Sequence, residues 1–244
     1  MPPAPIAYLD EVVARLRRLA GDRLLGVWLM GSAALGDFDP SRSDLDVQAV
    51  TTERLPLPDR EAIVASLEHE ALPVPARGLE LVVYAREDLE DAAYQLNLNT
   101  GPRMDRHVSF DPDGDPRFWF VIDLSIGRAH ARALTGPEAA AVLPALPRPL
   151  VAASLREALA FFAADDPTGA QLVLAACRAW AWAAEDTWYS KGKAARWAQA
   201  QLDDPGPVVR ALALRAGADG PGLTHAEREA VVARADAAVM SASA

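Results

Sequence analysis

The stretch Gly31-Ser32-Ala33-Ala34-Leu35-Gly36-Asp37-Phe38-Asp39-Pro40-Ser41-Arg42-Ser43-Asp44-Leu45-Asp46 joins two apolar runs. Upstream, residues 24–30 are short, apolar and ended by Gly31, which predicts a buried strand. Downstream, residues 45–50 predict a second one. A Gly-Ser at the end of a strand lets the backbone turn sharply and offers amide N–H groups plus a hydroxyl, a natural grip for phosphate oxygens at a helix start. Strand alternation puts Asp44 and Asp46 on one face and turns Leu45 to the core. Carboxylates at that spacing suit Mg²⁺, which typically takes one or two of them and completes its shell with water and substrate phosphate.

Farther along the chain, residues 78–85 are β-branched and apolar and predict a third strand, with Glu80 as an acid inside it. Burying a carboxylate without a partner is costly, so a metal or a substrate hydroxyl proton would give Glu80 a reason to be there. A bare Asp-x-Asp reads more simply as a turn or a cap. The full series of strand, Gly-Ser, short helix, Ser-Asp-x-Asp, strand and third-strand acid is far less accidental.

Helical spacing of Ile6, Leu9, Val13, Leu16 and Leu19 predicts an amphipathic helix over 6–20, and Ile63, Leu67 and Ala71 share a side of a helix after Asp59. The Asn-, Gly-, Pro- and Asp-rich residues 97–115 predict an irregular connection, and a helix is expected over about 124–134 before Thr135-Gly136-Pro137. Prolines 144, 147 and 149 then mark a change of composition, after which the chain is alanine-rich and helical, with a capping box at Thr224 and Glu227. Two domains follow, 1–136 and 150–244, joined by a Pro-rich linker over 137–149.

Over 244 residues, 34 acidic and 24 basic side chains leave a formal net charge of -10. That balance argues against a nucleic-acid binder, whose affinity comes from basic surface releasing counterions. A cationic partner is easier to accommodate. The lone Cys177 excludes an internal disulfide framework and reads as a buried small apolar residue. Without a secretory signal pattern or a membrane-length apolar run, a cytoplasmic protein without membrane contact is expected. Trp180, Trp182, Trp188 and Trp197 read as packing residues on helices, and Asp165, Asp166, Glu185 and Asp186 as solvated helix-end charges that could also meet ammonium groups.

The Gly31-Ser32 and Ser43-Asp44-x-Asp46 pattern resembles that of the DNA polymerase β-like nucleotidyltransferase superfamily. Leu79-Glu80 with its apolar strand, Val121-Ile-Asp123-Leu, Arg178-Ala-Trp180, Ser190-Lys191 and Ala194-Ala-Arg-Trp197 extend the resemblance to the aminoglycoside (3'')(9) adenylyltransferases. The resemblance implies an α+β fold, with a nucleotidyltransferase domain built on a small mixed sheet followed by an all-helical domain. It implies a monomeric enzyme that moves AMP from ATP to a hydroxyl of a cationic aminoglycoside-type acceptor, with Mg²⁺ as cofactor. In that scheme Gly31, Ser32 and Ser43 contact triphosphate, Asp44 and Asp46 hold Mg²⁺, and Glu80 is the general base. Lys191, one of only two lysines, reaches the triphosphate, and Asp123 supports the cleft. The tryptophan that accompanies streptomycin acceptance in some members is missing from residues 161–167, which puts spectinomycin ahead of streptomycin. Another small-molecule or protein hydroxyl as acceptor, and a silent nucleotide-binding module, stay open as alternatives.

Overall fold

The computed structural model describes residues 1–242, and the chain divides into two compact units, Met1–Ala145 and Leu146–Ala244. The first unit is built on a six-stranded mixed sheet of order β5-β4-β3-β2-β1-β6. Its strands are β1 (Leu24–Leu29), β2 (Leu45–Thr51), β3 (Leu79–Ala85), β4 (Tyr94–Thr100), β5 (His107–Ser109) and β6 (Arg132–Thr135). Only β2 and β3 run parallel, because α3 (Leu57–Leu67) carries the chain across between them. The α+β class with a small mixed sheet followed by helices is the one expected.

One face of the sheet presents Val27, Leu29, Leu45, Val47, Ala49, Leu79, Leu81, Val83, Leu96 and Leu98 to α1 (Pro3–Ala20) and α3. Helix α1 contributes Leu9, Val12, Val13 and Leu16, and α3 contributes Ile63, Val64 and Leu67. This is the unit's apolar core, and burying each such side chain contributes roughly 1.5–3 kcal/mol before entropy is counted. Ile6, expected on the buried side of α1, is exposed, and Pro5, Tyr8 and Leu9 are the buried residues of its first turns. Helix α3 ends at Leu67, so Ala71 lies in the following turn.

Helix α4 (Arg117–His130) lies over the other face, where Phe120 meets Tyr94 with ring centroids 4.6 Å apart. It begins and ends earlier than the helix expected over 124–134. Pro116 precedes its first turn, and Phe118, Phe120, Val121 and Leu124 give it a buried stripe. Beyond Ala131 the backbone is extended, and β6 pairs with β1 as an edge strand. The connection expected to be irregular from 97 to 115 instead begins with most of β4 and contains β5. From the stretch 137–149, residues 139–141 form a 3-10 turn within the first unit, and residues 148–149 open the first helix of the second.

The second unit holds α5 (Arg148–Asp165), α6 (Ala170–Glu185), α7 (Lys191–Gln199), α8 (Gly206–Arg215) and α9 (His225–Ala242). Leu172 through Cys177 are all buried, so this stretch of α6 is apolar on every side, as a segment enclosed by its neighbours must be. Cys177 is fully enclosed, and burial pushes its thiol up to about 12. Trp182 stacks on Trp188 at 5.5 Å with the Arg148 guanidinium 4.5 Å from the Trp182 ring, and Trp180 meets Trp197 edge-on at 5.2 Å. Asp166 is buried rather than solvated: its carboxylate accepts from the Leu172 amide at 3.0 Å and from Thr168, tying down the start of α6. Thr224 and Glu227 form the capping box of α9, with the Thr224 amide donating to Glu227 at 2.8 Å. Among the described residues, no helix is long and apolar enough to cross a membrane.

Candidate active site

Alternation along the strands that build the core also builds the site. With Leu45, Val47, Leu79 and Leu81 committed to the α1 and α3 side, Asp46, Gln48, Glu80 and Val82 turn to the α4 side. Parallel register sets Asp46 directly beside Glu80, and antiparallel register continues the row through Asn99 to His107. Asp123 reaches the same face from α4, where its charge bears on Asp46, Glu80 and Tyr84.

Neighbours in register, the Asp46 and Glu80 carboxyl groups are placed so that they can share a hydrogen bond. Two carboxyl groups can do this only if one of them carries a proton. Burial, followed by the charges of Glu80, Asp123 and Asp44, raises Asp46 well above the ordinary carboxylate range. Burial, then Asp44 and Asp123, pushes Glu80 up to about 7, while the Asp46 hydrogen bond and Arg77 pull the other way. Near neutrality the pair therefore holds a proton unless a cation takes its place. Asp44, at the rim, is met by Arg77 Nη1 at 2.6 Å, a contact across the parallel β2–β3 start that brings a cation to the acids. Half-exposed, that ion pair orients Asp44 more than it stabilises the fold.

Gly31 is required here twice over. Its φ is +55°, in the left-handed region, and a Cβ on it would lie 1.8 Å from Asp46 Oδ2. The turn after β1 can approach the carboxylate this closely only without a side chain. The Met30 amide donates to the Asp46 carbonyl at 2.8 Å, which ties this turn to the start of β2. Ser32 follows, half-buried, in the one-turn helix α2 (Gly31–Ala34). Ser43 braces the loop before β2: its hydroxyl accepts from the Asp39 amide at 3.1 Å and its amide donates to the Asp39 carbonyl at 2.7 Å.

Gly31, Ser32, Ser43, Asp44, Asp46, Glu80 and Asp123 thus belong to one unit, around one end of the β2–β3 pair. Lys191 belongs to the other unit, at the first position of α7. There its Nζ donates to Gln171 Oε1 at 2.8 Å and lies 5.8 Å from the Phe162 ring centre. Sequence reasoning singled out His107 only as a candidate lid residue and missed its pairing with Asp115, as it missed Arg77 and Asn99. Alternating Leu96-Asn97-Leu98-Asn99 was the available signal for Asn99, whereas no spacing marks the other contacts.

Residues 141–240 match the family model described as the aminoglycoside adenylyltransferase C-terminal domain. This part of the chain is similar to the C-terminal domain of that family. The family is the one expected from the sequence, and its members are adenylyltransferases. Among solved structures, the chain resembles the spectinomycin adenyltransferase AAD(9) from Enterococcus faecialis, crystallised with ATP and spectinomycin. The likeness has a TM-score of 0.66 at 13% identity and covers 96% of this chain and 98% of that one, so the two share a fold. No curated protein sequence matches the chain significantly.

Proposed function

We propose that this adenylyltransferase-family chain transfers AMP from ATP to a hydroxyl of an aminoglycoside-type antibiotic, spectinomycin ahead of streptomycin, and releases pyrophosphate. The observation that carries the reading is the set of acids Asp44, Asp46, Glu80 and Asp123 gathered on one sheet face beside the Gly31-Ser32 turn.

In this reading the Gly31-Ser32 turn and Ser43 bind triphosphate oxygens. Glu80 takes the proton from the acceptor hydroxyl as its oxygen attacks the α-phosphorus, and the bond to pyrophosphate breaks on the opposite side. A carboxylate pushed up to about 7 is well matched to accepting that proton near neutral pH. Asp123 adds negative charge beside the acceptor, which suits a cationic drug.

The acids fit a magnesium ion by their chemistry. Four carboxyl groups influence one another beside Arg77, and their repulsion is what a divalent ion relieves. Among the described residues no three His, Cys, Asp or Glu gather to ligate one ion, but magnesium ordinarily needs only one or two carboxylates. Asp44 and Asp46 would hold it, and it would supply charge neutralisation at the phosphates.

The test is incubation of the protein with ATP and Mg²⁺ plus spectinomycin, streptomycin or no acceptor, following pyrophosphate and product mass. Spectinomycin-dependent release with a mass gain of one AMP is expected. ATP binding without release in any of the three reactions would overturn the reading.

A further inference from the structure

The row of side chains that includes Asp46 and Glu80 does not stop at the acids. Register pairs Glu80 with Asn99 and Asn99 with His107, so His107 stands two strands from Glu80 on the same face, a separation of about 10 Å. That face assignment is secured from the other side, since Val108 packs against the apolar core.

His107 is held in a defined orientation. Its Nε2 lies 3.0 Å from Asp115 Oδ1, and the same carboxylate accepts from Tyr94 Oη at 2.5 Å and Asn97 Nδ2 at 3.0 Å. Burial raises Asp115, but hydrogen bonds from Tyr94, Asn97 and His107 outweigh it and hold the group below its ordinary value. An ionised carboxylate only accepts, so His107 Nε2 carries the hydrogen. In the neutral ring this leaves the Nδ1 lone pair as an acceptor, on a side chain that is 44% exposed. A packing histidine needs no such three-donor anchor behind it, whereas a ligand contact gains from a ring that is already oriented.

Position decides which ligand. The Gly31-Ser32 turn lies beside Asp46 at the β1 and β2 end of the row, so under the reading above the nucleotide occupies that end. What remains beyond Glu80 is the β4 and β5 end, about the reach of one or two sugar rings. We propose that His107, anchored by Asp115, contacts a hydroxyl or amine on the acceptor ring next to the one being adenylylated and so helps select the acceptor. The site takes amino-sugar or aminocyclitol compounds with a donor group at that distance. The inference rests on the proposed adenylyl transfer and adds to it a specificity contact outside the acid cluster.

Steady-state pyrophosphate release with spectinomycin and ATP tests this. His107→Ala raises the KM for spectinomycin roughly tenfold, the worth of one well-placed hydrogen bond, and leaves the KM for ATP unchanged. His107→Gln keeps an acceptor atom and loses less. An unchanged spectinomycin KM in His107→Ala, or a parallel movement of both constants, overturns the contact while leaving adenylyl transfer intact. No release by the wild-type protein with spectinomycin or streptomycin removes the adenylylation reading, and the contact with it.

Discussion

The two faces of the N-terminal sheet are made by the same strands and do opposite work. Along β2 and β3, Leu45, Val47, Leu79 and Leu81 are buried against α1 and α3, while Asp46, Gln48, Glu80 and Val82 look toward α4. One face excludes water with aliphatic side chains. The other keeps carboxyl groups in surroundings that raise their proton affinity. The difference shows why two acids can sit inside apolar strands: the period of two lets the leucines anchor the strand so firmly that the opposite face can carry like charges.

Leu81→Ala removes a fully buried side chain and should cost about 2–5 kcal/mol of stability, with turnover per folded molecule retained. Denaturant unfolding alongside activity would show it, and a selective loss of turnover would mean that the faces are not separable. Next in size is Gly31→Ala, which forces a side chain into a left-handed turn and into the Asp46 carboxylate. We expect a loss of about 1–3 kcal/mol together with weakened Mg²⁺-dependent ATP binding. Retention of both would contradict the close approach.

The smallest effect concerns pH. Glu80 is raised from 4.5 to about 7 in the fold, so its contribution is fully present below the unfolded value and is lost as pH rises toward about 7. Asp46, raised too, acts in the same direction. Asp39, Asp115 and Glu227 are lowered, so their contributions change at more acid pH and lie outside this window. Melting temperatures of the metal-free protein should therefore fall between pH 5 and pH 8, with a smaller fall in Glu80→Gln or with Mg²⁺ present. Equal slopes in wild type and variant would remove Glu80 as the cause.

Much of this organisation was legible in the chain. Gly31, Asp44, Asp46 and Glu80 announce themselves because an acid or glycine at a fixed place in an apolar strand is hard to explain otherwise. The pairing of Asp46 with Glu80, by contrast, depends on strand register, which no local spacing reveals. β4 was hidden because Asn97 and Asn99 read as loop residues, although Leu96 and Leu98 alternate with them toward the core. β6 looked helical from Ala133 and Leu134 and becomes a strand only because β1 offers an edge. Asp166 looked solvated until the start of α6 folded back onto it. In each case the decisive partner is distant in sequence or supplied by backbone geometry.

The most direct measurement is turnover of Glu80→Gln with spectinomycin, at matched ATP occupancy and with unfolding followed on the same sample. Glu80→Gln should stay folded, bind ATP with Mg²⁺ and release pyrophosphate about 10² to 10⁴ times more slowly than wild type. Wild-type turnover in this variant would contradict the role given to the acid face.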